Sequence, residues 1–249
     1  MAISFVAAGA VVQAFGPGTT PLAVAVPSGV ANGDLLLLFS CRTGSSGSGA
    51  FNTPAGWINI PQLTMNTLTN ARHSFAAYRV ANSEPASYNL STLDPDNESG
   101  GAVMLAYRGV DTSTQLDATP VGDITQNDTN NGDPPSITTA TNNAWVVCFD
   151  YTRPTGDTTA FTPPSGYTER VDSVGSDFQI SVADKLVASA GAEDPGAFGT
   201  GGSGGVNDHI VGTLALRPAA AGGAGTIPAM FMGSNLGKKL LINGGSLKC

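Results

Sequence analysis

Charge is what this chain has least of: Lys, Arg, Asp and Glu make up 12% of its 249 residues, against roughly a quarter in ordinary soluble domains. Basic residues are the scarcer kind, 11 against 19 acidic ones, for a formal net charge of −8. They are scattered apart from Lys238-Lys239, so the basic stripe that a nucleic-acid groove requires is missing and no nucleic-acid partner is expected. Apolar runs such as Leu35 to Phe39 are far too short to cross a bilayer, and membrane insertion is not expected. No basic residue precedes the apolar amino terminus, so a secretory leader is not expected either. Cysteines number three (Cys41, Cys148 and Cys249) and are widely spaced. That excludes a disulfide framework and suits a chain folded in a reducing cytoplasm, with Cys41 and Cys148 as small buried hydrophobes.

Catalytic signatures are equally thin. The two histidines, His73 and His209, fall on different expected strands, and neither sits in a metal-ligand spacing. Gly201-Gly-Ser-Gly-Gly205 has the spelling of a Gly-x-Ser-x-Gly elbow, but it lies in a glycine run that reads as a loop with no following helix. The glycine run 199–205 lacks the lysine and helix of a phosphate loop. A non-enzymatic protein without a resident cofactor is the expectation.

What is abundant is glycine (32), proline (16) and well-formed apolar runs within a 41% hydrophobic composition. Short strands joined by many turns read this way. The organising feature is an internal repeat of about 110 residues. Asp34-Leu-Leu-Leu-Leu-Phe39 matches Ala144-Trp-Val-Val-Cys-Phe149. Ala50-Phe-Asn-Thr-Pro-Ala-Gly-Trp57 matches Ala160-Phe-Thr-Pro-Pro-Ser-Gly-Tyr167. Ser74 to Val80 resembles Ser181 to Val187 at a slightly shorter offset, Glu84-Pro85 matches Asp194-Pro195, and Ala106-Tyr-Arg108 matches Ala215-Leu-Arg217. Expected strands in the first copy lie near 3–8, 22–26, 35–41, 57–63, 73–81, 86–90 and 102–108. In the second they lie near 116–126, 136–140, 145–151, 167–173, 178–187, 196–199 and 209–217. The runs at 35–39 and 145–149 are apolar at nearly every position, as central strands covered on both sides must be. Strand 73–81 alternates less cleanly, which predicts one packed and one partly wet face. The Pro-x-Gly-aromatic turns should set Trp57 and Tyr167 into the core.

The expected fold is therefore all-β: a jelly-roll-like β-sandwich over residues 1–218, made of pseudo-repeats 1–111 and 112–218, with two small sandwiches in tandem as the alternative. Residues 219–225 read as a flexible linker. Beyond them Phe231-Met-Gly-Ser-Asn-Leu236 and Ile242-Asn-Gly-Gly-Ser-Leu247 repeat with a period of 11, each resembling a short β-hairpin. Isolated hairpins are marginal in water. The arm 226–249 is therefore expected to dock elsewhere, with Phe231, Met232, Leu236, Lys238, Lys239, Ile242 and Leu247 as assembly contacts.

The candidate ligand site is acidic. Asp94, Asp96 and Glu98 alternate as the oxygen ligands of calcium loops do, and Asn/Asp-rich turns with purely backbone roles are the competing reading.

Pro54-Ala-Gly-Trp57, Ala77-Tyr-Arg-Val-Ala81 before Glu84-Pro85, Ala106-Tyr-Arg-Gly-Val-Asp111 and Pro164-Ser-Gly-Tyr-Thr168 together resemble a diffuse group of bacteriophage and prophage β-sandwich proteins, virion parts of tail, fibre or capsid-decoration type. The arm's two units are similar to short glycine-containing repeats of phage tail and baseplate proteins. The resemblance implies a structural protein located in the virion, synthesised in the host cytoplasm, homo-oligomeric and in contact with other virion proteins. It carries no catalytic residues over. The alternative is a carbohydrate-binding module whose partner is a host surface glycan.

Overall fold

The structure, a computed structural model, describes residues 2–16, 21–43, 52–65, 72–90, 98–129, 131–152, 159–174, 179–200 and 207–220. Seventeen strands account for its regular structure. In the N-terminal half these are β1 (Ser4–Ala8), β2 (Val12–Gly16), β3 (Leu22–Ala25), β4 (Leu35–Thr43), β5 (Ile58–Asn59), β6 (Arg72–Val80), β7 (Ser87–Leu90) and β8 (Glu98–Arg108). In the C-terminal half they are β9 (Val121–Thr129), β10 (Ile137–Thr139), β11 (Ala144–Thr152), β12 (Phe161–Thr162), β13 (Thr168–Ser173), β14 (Gln179–Val187), β15 (Gly191–Glu193), β16 (Gly199–Thr200) and β17 (Asn207–Leu216). A 3-10 turn, Pro61–Leu63, is the helical element among the described residues, and no helix is long and apolar enough to cross a membrane. The all-β class read from composition and turn chemistry holds.

Two large antiparallel sheets form the middle of the body. One has the order β1-β8-β4-β6-β5, with β2 sharing the β8 edge with β1; the other has the order β13-β14-β11-β17-β9. Three two-stranded sheets, β3-β7, β10-β15 and β12-β16, complete the inventory. Strand alternation sorts the apolar residues into layers. On β4, Leu35, Leu37, Phe39 and Cys41 face the second large sheet, where they join Val147, Phe149 and Tyr151 of β11 in one central core. Leu36 and Leu38 point the other way, into an outer core with Trp57, Phe75, Leu22 and Val24 beneath β3 and β7. Val146 and Cys148 likewise face a second outer core, with Tyr167, Phe161, Phe198 and Ile137. The result is four layers and three cores.

This layering explains why β4 and β11 are apolar on both faces. It also overturns one expectation: residues 72–77 of β6 are buried on both faces, because β6 carries an outer layer on the side expected to be wet.

The two Pro-x-Gly-aromatic turns have the same geometry. Trp57 N–H donates to Pro54 O at 3.1 Å with Gly56 at φ +80°, and Tyr167 N–H donates to Pro164 O at 3.0 Å with Gly166 at φ +81°. A left-handed third residue is what such a turn requires, and glycine supplies it without strain. Trp57 and Tyr167 are both buried.

Candidate functional site

The residues singled out as sites lie outside the described part of the chain. Asp94 and Asp96 fall in 91–97; Glu98 begins β8 opposite Gly16, but its side chain is outside the description, as are Phe231, Met232, Leu236, Lys238, Lys239, Ile242 and Leu247. Among the described residues no group of three or more His, Cys, Asp or Glu side chains is placed to hold a metal ion.

The polar chemistry that is described has been built into the layers. Four carboxylates are buried: Asp34, Asp117, Asp150 and Asp184. Asp184, fully buried on β14, faces the central core, where both its oxygens accept from Arg170 Nε at 2.9 Å and its Oδ2 accepts from Tyr107 Oη at 3.0 Å. Arg170 stands on the β13 bulge between Glu169 and Val171, the extra residue that aims it inward. Its guanidinium lies 4.3 Å from the Phe5 ring centroid, a cation-π contact between the two large sheets. Burial, and then the Asp184 charge, push the Tyr107 phenol well above its ordinary pKa, so it remains a hydrogen-bond donor.

Asp150 meets His209 on the outer side of the second large sheet. His209 Nδ1 lies 2.8 and 3.0 Å from the two Asp150 oxygens, and both side chains are buried. A carboxylate only accepts, so Nδ1 carries the proton. Gly132 closes the site: a Cβ there would fall 2.4 Å from Asp150 Oδ2. His73 is buried on β6, on the outer-core side of the first large sheet by alternation with Phe75 and Ala77. Both large sheets therefore stand between the two histidines, which form no shared centre.

Each half also pins its outer layer with a cation, an acid and an aromatic ring. Arg79 reaches Glu84 at 3.1 Å and lies 5.4 Å from the Tyr88 ring, whose hydroxyl donates to Glu84. Partial burial and the Glu84 bond push Tyr88 up to about 12. Lys185 reaches Glu193 at 2.7 Å and lies 5.4 Å from the Tyr167 ring, whose hydroxyl donates to Glu193 at 3.0 Å. Asp34 pairs with Arg108 at 2.7 Å and also accepts from Ala31 N–H. Asp117 caps a turn, accepting from Ala140 N–H, Thr141 N–H and the Thr141 hydroxyl. Burial raises both Cys41 and Cys148 above the ordinary thiol range, which makes them poor nucleophiles.

Among the described residues an open cleft of 360 Å³ lies between loop 26–32 and turn 83–86, with Pro27, Val30, Asn32, Ser83, Glu84 and Pro85 in its walls. Ser83 holds φ +54° while its N–H donates to Asn32 Oδ1 at 2.8 Å. No aromatic ring lines it, and its one acid, Glu84, is already engaged by Arg79 and Tyr88.

The sequence signal for these networks was a charge inside an apolar strand, Asp150 in Ala144–Thr152 and Asp184 in Gln179–Val187. His209 and Tyr107, 59 and 77 residues away in chain order, left no local trace. No protein-family model, curated protein or solved structure matches the chain.

Proposed function

We propose that the chain is a non-enzymatic structural protein of a bacteriophage-type virion, with the β-body displayed on the particle and residues 226–249 contacting neighbouring subunits. The observation that carries the non-catalytic part is the use of the buried carboxylates. Asp34, Asp117, Asp150 and Asp184 are each held by a guanidinium, an imidazole, a phenol or backbone amides. A general acid or base must present a carboxyl group to substrate, and these present theirs to other parts of the body. The virion assignment is supported by the turn-and-core strings and by the two-unit arm. Isolated hairpins of this length are marginal in water, so the arm is expected to dock elsewhere, and neighbouring subunits are the proposed place.

Labelling the chain on purified particles by electron microscopy tests the reading. Label at one defined position of the virion is expected; particles free of label would overturn it. The glycan-binding alternative predicts hits on a glycan array.

A further inference from the structure

We infer that the β-body is a fused isologous dimer: residues 2–111 and 112–220 meet through the same surface of each, and the partner which that surface fits is another copy of itself. This inference stands independently of the virion reading.

Matching the two large sheets strand for strand in chain order pairs β2 with β9, β4 with β11, β5 with β13, β6 with β14 and β8 with β17, while β1 finds its counterpart in the Leu116–Leu216 bridge. The order is then the same in both, β2-β8-β4-β6-β5 and β9-β17-β11-β14-β13. Local contacts follow the match. Asn32 Oδ1 accepts from Ser83 N–H at 2.8 Å, and Asn142 Oδ1 accepts from Ala190 N–H at 2.9 Å.

In an isologous pair, equivalent residues touch each other only on the two-fold axis, and every off-axis contact has a reciprocal mate. Both requirements are met. Phe39 and Phe149 are equivalent, and their ring centroids are 5.1 Å apart. At one end of the sheets Val110 bridges Pro218 antiparallel, and Ala219 N–H donates to Gly109 O at 2.8 Å. With Arg108 matched to Arg217, Gly109–Ala219 is the mate of Val110–Pro218, so the axis passes between those two pairs. The edges are reciprocal as well. The turn after β5 packs on β9, where a Cβ on Gly122 would stand 2.4 Å from Gln62 O. The matching β13 packs on β1 and β2, with Arg170 over Phe5 and Gln13 Nε2 donating to Ser173 Oγ at 3.0 Å. The polar Arg170–Asp184–Tyr107 set is where the symmetry is broken, through the inserted bulge residue.

The symmetry fixes a chain path. The N-terminal half leaves through Asp111 and enters the C-terminal half where Leu116 bridges Leu216, which matches Phe5 opposite Tyr107. Counting back from Phe5, Ala2 matches Ser113 and Met1 matches Thr112, while Ala220 matches Asp111. Ala220 therefore stands where a direct bond to Met1 repeats the Asp111–Thr112 connection. The packing agrees, since a Cβ on Gly109 would lie 2.3 Å from Ala2 O.

A circular permutant that keeps every residue tests this: 113–220, then 1–112, then 221–249, with Ala220 bonded to Met1 and no added linker. It is expected to fold as a monomeric body with a thermal midpoint close to that of the native chain. A second permutant carries a six-residue Gly/Ser insertion at the junction. Folding of the inserted form alone means that the exits are not equivalent, and failure of both means that the halves do not relate as inferred. Either result overturns the inference.

Discussion

The rings of Phe39 and Phe149 pack against each other 5.1 Å apart at a tilt of 41°, from the middles of the two central strands. Each also seals its own sheet: Phe39 pairs with Ala76 and Val103, and Phe149 with Val182 and Gly212. Replacing either by Ala opens a cavity in the one core that both halves share, at a cost of about 3–5 kcal/mol. The double replacement should cost clearly less than the sum, because the two side chains are in contact. Denaturant unfolding of the two single variants and the double measures this.

Gly212 is the floor on which that pair sits. A Cβ there would meet Leu63 Cδ2 and Phe149 Cε1, both at 2.5 Å. Gly212→Ala should destabilise by about 1–3 kcal/mol through overpacking, read as a lower denaturant midpoint with an unchanged slope.

Asp184→Ala strands the Arg170 guanidinium and the Tyr107 hydroxyl together. Breaking a buried pair in this way costs on the order of 3 kcal/mol, whereas Tyr107→Phe removes one hydrogen bond for about 1 kcal/mol. Reversing that ranking in thermal unfolding would show that Asp184 is not the anchor of the contact between the sheets.

Asp172 gives a pH signature of opposite sign to ordinary acid unfolding. Burial, and secondarily the Glu169 charge, push its carboxyl up from 3.8 to about 6. The folded form then binds more protons than the unfolded form between those values, so this residue's contribution to stability falls as pH rises through them. Asp172→Asn should raise the thermal midpoint at pH 7 and change it little at pH 4, as checked by paired melts.

Thiol chemistry tests the burial of the cysteines. In a Cys249→Ser background, Cys41 and Cys148 are both buried and should resist a thiol reagent in the native state, reacting fully once denatured.

Much of this fold was legible because its signals are local. The Pro54–Trp57 and Pro164–Tyr167 strings specify a turn type, and the apolar runs of β4 and β11 specify cover on both sides. What provides that cover was not legible, since alternation says that a face is buried and not against what. Strand ends were lost for similar reasons. The expected strand at 57–63 stops at Asn59 because Pro61 has no N–H to pair and starts a 3-10 turn. The one expected at 116–126 begins at Val121, since Asp117 turns to cap Ala140 and Thr141. β2, β12 and β15 fall in no expected strand, the last two being only two and three residues long. The polar ties were invisible for a different reason: His209 reaches Asp150 from a neighbouring strand 59 residues on, and Tyr107 reaches Asp184 from the other large sheet, 77 residues away in the chain.

On the proposed function the last residues join a stable β-body to its neighbours, so deletion of 226–249 should remove the join and leave the body folded. The truncated chain should keep the full chain's thermal midpoint and be missing from purified particles. A truncated chain that still enters particles at the full chain's level would show that residues 226–249 do not make that contact.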